Sequence, residues 1–255
     1  MSGGTATILG SGTSTGVPSL GTSYPPDYLA DPRNHRMRAS LLLRGPSGNV
    51  LVDCGPDVRT QLLRAGCMGL ECVHLTHGHA DHIMGMDDLR TFCLKKGGPM
   101  RIYADEPTQA DIQRIFPYAF APFPEGIMVP RFDIVTMPDS YQAGGLTIEC
   151  VLVEHGPLAY CGVKVGGFAY LSDVSRIPAE SAAQLMGLDT LVLDAVRIRP
   201  HPNHFHFDKA VEVALELGAK TTYLTHLCDD FDHAETEARL PAQIRLAYDG
   251  LDIPL

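Results

Sequence analysis

The chain has 255 residues, 45% hydrophobic and 20% charged, enough apolar material for a substantial core in a single domain spanning 1–255. Thirty acidic residues against 20 Lys and Arg leave a net charge of -10, which disfavours a broad grip on polyanions such as tRNA; an anionic substrate has to be held by local positive charge. No apolar run is long enough to span a membrane, Met1 to Gly10 lacks the regions of a signal peptide, and the seven cysteines form no C-x-x-C pair, so the expectation is a cytoplasmic protein with reduced thiols and no membrane partner.

Short β-branched runs at Thr5 to Leu9, Ser40 to Arg44, Val50 to Asp53 and Val73 to Thr76 predict strands in the first half. The second half repeats the habit at Leu146 to Glu154, Cys161 to Val165, Phe168 to Ser172, Thr190 to Asp194, Thr221 to Thr225 and Ile244 to Tyr248. Helices are predicted at Pro56 to Ala65, Pro107 to Phe116, Pro178 to Met186 and Asp208 to Leu217, the last capped by Asp208 and ended by Gly218. Several neighbouring strands have no helix between them, so the expected fold class is α/β with two mixed sheets face to face and helices outside. The stretch Phe116 to Pro130, with four prolines among four aromatics, predicts a loop near the site.

The strongest chemical signal is Thr76-His77-Gly78-His79-Ala80-Asp81-His82, directly after an apolar strand. Shuffling this composition would produce the H-x-H-x-[DE]-H pattern in roughly two chains per thousand. His77 and His79 point the same way from an extended loop, while Asp81 and His82 open a helix and present a second set of ligands to the same space. Such a cluster suits two neighbouring cations, and without them its polar groups would need hydrogen bonds or costly burial. His155, Asp173 and His226 each stand at a predicted strand end, where they can complete the set.

With Asp53 in LVDCG, the His77 to His82 block, His155, Asp173 in LSDVS and His226 in LTHLCDD, the sequence resembles the metallo-β-lactamase superfamily from Leu9 to Asp252. The resemblance implies an αββα sandwich holding two divalent metal ions, zinc or manganese: one on His77, His79 and His155, the other on Asp81, His82 and His226. Asp173 would bridge them, and Asp53 would orient ligands. LGSGTSTGVPSLG, DPRNHRMRAS and HPNHFHFDKA narrow the resemblance to the ribonuclease Z-related phosphodiesterases, and within them to the phosphoribosyl cyclic phosphodiesterases of the carbon-phosphorus lyase pathway of phosphonate catabolism. That group converts 5-phospho-α-D-ribosyl 1,2-cyclic phosphate to ribose 1,5-bisphosphate. Some of these relatives hold an extra zinc on a C-x-C pair where this chain reads Gly21-Thr22-Ser23, so no third metal is expected. The long arm of tRNA-processing enzymes is also missing from the sequence.

Two cations supply hydroxide at neutral pH and neutralise phosphoryl oxygens, and Asp81 counts among the reacting groups as well as the ligands. The leaving sugar oxygen still needs a proton. His204, in HPNHF, matches the family's catalytic histidine, with His201 in support. Arg33, Arg36 and Arg38 precede the Ser40 strand and are candidates to grip a non-reacting phosphate of a small phosphorylated sugar substrate. Three alternatives stay open: a thioester or lactone hydrolase of the glyoxalase II kind, a non-catalytic carrier in cofactor biosynthesis, and a ribonuclease Z-like endonuclease. No exposed apolar stripe stands out, and a homodimer stays open.

Overall fold

The structure, a computed structural model, describes residues 3–122 and 127–255. Two seven-stranded sheets stack face to face. The first runs in the order Asp252–Pro254, Thr5–Gly10, Ser40–Arg44, Asn49–Val52, Cys72–His74, Met100–Ala104 and Phe132–Thr136; the second runs Ile244–Leu246, Thr221–Thr225, Thr190–Asp194, Phe168–Leu171, Leu158–Val165, Leu146–His155 and Ser140–Ala143. Each sheet is mixed. The first is antiparallel up to Asn49–Val52 and parallel beyond, and the second is parallel from Ile244–Leu246 to Phe168–Leu171 and antiparallel after it.

Three apolar clusters account for the layering. Ile8, Leu43 and Val50 of the first sheet meet Ile148, Val163 and Phe168 of the second between the sheets. Val58, Leu62 and Ile112 cover the first sheet's outer face from the helices Val58–Arg64 and Glu106–Ile115. Leu185, Ala210, Ala214 and Leu217 do the same for the second from Ala179–Leu185 and Phe207–Leu217. This is the αββα sandwich, and no helix among the described residues is long and apolar enough to cross a membrane.

Helix Phe207–Leu217 ends as expected on Gly218 in the left-handed region, but it begins at His206 without a side-chain cap, and Asp208 sits in the first turn. Helix Arg90–Lys96 and the strands Met100–Ala104, Phe132–Thr136, Ser140–Ala143 and Asp252–Pro254 lacked a predicted counterpart. The last three are sheet edges, where one side of the ladder faces out and strong β-branched patterning is not required. Of the expected Phe116 to Pro130 loop, residues 123–126 lie outside the described residues; Pro117–Ala119 forms a 3-10 turn whose Tyr118 hydroxyl donates to Asp87 at 2.9 Å. His74 ties the two sheets together, its ring nitrogens 3.0 Å from the Tyr141 hydroxyl and 2.9 Å from the Cys161 carbonyl.

Candidate metal centre

Parallel strands of both sheets end at one rim, and the chemistry collects there. Asn49–Val52 ends before Asp53, Cys72–His74 before the histidine block, Phe168–Leu171 before Asp173 and Thr221–Thr225 before His226, while Leu146–His155 brings in His155. Among the described residues, the non-glycine residues with positive φ are Asp53 (62°), Asp173 (56°) and His226 (60°). A left-handed backbone costs such residues on the order of 1–3 kcal/mol. All three lie just past a strand end, and all three side chains are buried in the cluster. Gly55 serves the same cluster differently: a Cβ there would collide with the Asp81 carbonyl, so only glycine lets the two backbones meet.

The structure brings His77, His79 and His155 into one group and Asp81, His82, Asp173 and His226 into an adjoining one, with one donor atom from each residue within 4.8 Å of the others in its group. In the second group the His82 Nε2 lies 3.3 Å from Asp81 Oδ2 and 3.4 Å from Asp173 Oδ2, and the His226 Nε2 lies 3.3 Å from Asp173 Oδ1. Those separations are long for charged hydrogen bonds, but donors bound at 2.0–2.1 Å around a tetrahedral cation stand about 3.3–3.4 Å apart. His82 Nε2, His226 Nε2 and Asp173 Oδ2 are buried and have no hydrogen-bond partner. Buried polar atoms are rarely left so, and three of them facing one space fit ligands of a divalent metal.

The opposite edges of the rings are anchored. Asp53, fully buried, receives His82 Nδ1 at 2.7 Å and the Thr76 backbone N–H at 2.9 Å, and the Thr76 hydroxyl lies 3.0 Å from His77 Nδ1. His155 Nδ1 donates to the Asn203 carbonyl at 2.7 Å. These contacts settle which nitrogen of each ring faces inward. Burial opposes a charged His82, but Asp173 and Asp53 outweigh it and hold its pKa well above the ordinary value. At His226 burial is likewise outweighed, by Asp173, Asp194 and Asp81, and the value rises to about 10. The carboxylates demand positive charge in this pocket, and a metal supplies it while displacing those protons.

His204 closes one wall. Its ring centroid is 4.5 Å from that of His155 and 5.0 Å from that of His226, and its Nδ1 lies 2.9 Å from Asp194 Oδ2. His201 lies 4.8 Å from His204, ring to ring, with Nδ1 accepting from the Asn203 N–H at 3.1 Å. Asp194 was assigned no role from the sequence. Fully buried, it also receives the Val174 N–H at 2.9 Å and stands 3.4 Å from His226 Nδ1, so one carboxylate orients both His204 and His226. Its only signal was an acid ending an apolar strand.

Of the three arginines expected to grip a phosphate, Arg36 is corrected. Arg36 is 2% exposed and donates to Ser11 Oγ (2.9 Å) and the Ala247 carbonyl, while its other Nη lies 3.1 Å from His233 Nδ1, so it is a buried brace and cannot reach a substrate. Ser11 in turn accepts the Leu227 N–H at 2.9 Å, next to His226. Arg33 is engaged by Asp31 at 2.7 Å, and Arg38 by Asp57 at 3.0 Å and the Ser14 carbonyl. In both, the charge is paired with a neighbouring carboxylate, so a substrate anion would compete with that pair for the guanidinium.

His233 is pushed down to about 4 by burial and by the Arg36 and Arg33 charges, so it accepts from Arg36 as neutral imidazole. In the unfolded chain it titrates near 6.5, so that state binds more protons between the two values and its contribution to stability rises with pH across about 4 to 6.5. Asp249, whose carboxyl burial raises to about 6, contributes the opposite slope over much of this window, so the readout is the difference: His233→Gln is expected to make the slope of the urea midpoint against pH less positive than in the wild type, and an unchanged slope would remove His233 from the network.

A beta-lactamase superfamily domain matches residues 48–227, a span that contains every residue of the cluster just described. The chain belongs to the metallo-β-lactamase superfamily. It is 38% identical to a crystal structure described as a new diphosphatase from the PhnP family, which it matches over 100% of this chain and 98% of the other with a TM-score of 0.92. It is 36% identical over 251 residues to an octanoyltransferase of Porphyromonas gingivalis, covering 96% of this chain but 50% of that protein. A ribonuclease Z of Bradyrhizobium diazoefficiens is 29% identical over 159 residues, 56% of this chain and 44% of that protein. The chain thus spans about half the length of these two curated relatives. The family match and the His and Asp cluster together fit a site for a divalent metal.

Proposed function

We propose that this chain is a metal-dependent hydrolase that cleaves a small phosphorylated sugar phosphodiester, with 5-phospho-α-D-ribosyl 1,2-cyclic phosphate, opened to ribose 1,5-bisphosphate, as the favoured substrate. Two divalent cations, zinc or manganese, would be held by His77, His79 and His155 and by Asp81, His82 and His226, with Asp173 between them. Bound there, they supply a nucleophile at neutral pH and neutralise phosphoryl oxygens. Asp53 and Thr76 keep His82 and His77 in orientation. The observation that carries the reading is the His204–Asp194 pair facing both ligand groups. With Nδ1 committed to Asp194, His204 presents Nε2, and a proton on that atom can pass to the departing sugar oxygen, which is too basic to leave unaided. The seven free cysteines accord with a reducing, cytoplasmic setting.

The purified chain is expected to cleave bis(p-nitrophenyl) phosphate, to lose that activity to a chelator, and to regain it with manganese or zinc. Turnover that persists after exhaustive chelation would sink the metal requirement. A second reading, a thioester hydrolase, is favoured by the likeness to half of a protein named octanoyltransferase. A thiolate leaves without a proton donor, so that reading expects His204→Ala to keep full turnover on an octanoyl thioester. Endonuclease action on tRNA is disfavoured by the net charge of -10.

A further inference from the structure

A phosphomonoester on the substrate of the proposed reaction has to find cations in a chain whose net charge is -10. Arg36 is buried, and Arg33 and Arg38 are each paired with a carboxylate, as described above. The segment between the strand Thr190–Asp194 and the helix Phe207–Leu217 is different. It carries His201 and His204, wraps His155 through the Asn203 carbonyl, and so forms a wall of the metal centre. The same segment carries Arg197 and Arg199. Among the described residues neither has a carboxylate oxygen within 4.0 Å of its guanidinium nitrogens. The nearby Asp230 carboxylate is taken up by the Ile198 N–H at 3.1 Å.

The two guanidiniums are placed differently. Arg197 is half-buried, and its Nε and one Nη donate to the carbonyls of Arg199 (3.1 Å) and Pro200 (2.6 Å), which fixes its plane beneath the turn and leaves the other Nη available. Arg199 is exposed two residues before His201. His201 registers the charge: burial lowers its pKa first, then His204 and then Arg197. A guanidinium held to the turn, with an exposed arginine two residues on, in the segment that carries His201 and His204, is an arrangement suited to a dianionic phosphate, which accepts paired N–H donors from arginine.

We propose that Arg197 and Arg199 form the dock for the non-reacting phosphomonoester of the substrate, making the His201–His204 segment a specificity element as well as the source of the acid. This rests on the phosphodiesterase reading and deepens it. Binding energy gathered at a remote phosphate holds the reacting diester against the metals, so losing it lowers kcat/KM only for substrates that carry that phosphate.

The test compares the metal-loaded full chain on ribosyl 1,2-cyclic phosphate with a 5-phosphate, on the same compound without it, and on bis(p-nitrophenyl) phosphate. Arg199→Ala is expected to lower kcat/KM on the first about 10- to 100-fold and to leave the other two within about twofold, Arg199→Lys to restore part of the loss, and Arg197→Gln, which also releases the Arg199 and Pro200 carbonyls, to lower the first by more than the second. An equal fall on all three, or none on the first, overturns the dock. Should the wild type cleave none of the three, the phosphodiesterase reading fails by itself. The dock is then judged by calorimetry with ribose 5-phosphate on the wild type and the double variant, and equal affinities overturn it.

Discussion

Asp173→Asn is expected to lower hydrolysis by more than about 10³-fold, because altering a group that merely orients a metal ligand already costs about 10- to 100-fold. Asp173 does more than orient. Its Oδ2 faces His82 and its Oδ1 faces His226, both near 3.3 to 3.4 Å, so both oxygens point at the space shared by the donor set. An amide keeps the shape but replaces one oxygen with a donor that repels a cation. Asn also tolerates the positive φ of this position, which separates loss of chemistry from loss of fold. Metal per chain should fall in parallel with rate. Chelation should lower the wild-type melting temperature, since ligands that bind only the folded chain stabilise it by mass action, and the variant should lose much of that response. A variant with wild-type metal content and wild-type turnover would falsify the ligand role.

His204→Ala should divide substrates by their leaving groups. On a cyclic ribosyl phosphate, whose leaving oxygen is an alkoxide, the loss is expected at about 10²- to 10⁴-fold. On bis(p-nitrophenyl) phosphate the leaving phenolate needs no proton, so the loss should stay under about tenfold. Asp194→Asn should move both in the same direction by about 10- to 100-fold, since it frees His204 and also loosens the back of His226. Rates against a series of leaving groups of rising pKa give the readout: the slope steepens in His204→Ala if the proton donor is missing. Equal losses across the series would assign His204 to binding instead.

Much of the architecture was legible in residue patterns. Runs such as Leu146 to Glu154 and Thr190 to Asp194 are strands within a residue or two of their expected bounds, and Gly218 ends its helix in the left-handed region. What escaped was weakly patterned. Ser140–Ala143 alternates exposed and buried on an edge, and Asp252–Pro254 is three residues long. Asp194 escaped because an acid ending an apolar strand is equally a turn residue, and only its distance to His204 separates the two. The arginines escaped for a related reason. Three cations in six residues look like an anion grip until the folded chain brings up Asp57 and, from 197 positions away, His233.

By itself, then, the sequence determined the elements that local physics controls: alternating strands, helix stops, and His77, His79, Asp81 and His82 delivered together because they are close neighbours on one turn. It also determined that positive charge would be scarce. The tertiary structure alone decided which distant groups share that space, which nitrogen of each ring turns inward, and which arginines are already buried or paired. Those outcomes depend on distances of a few ångströms between residues from both sheets, which no local pattern encodes.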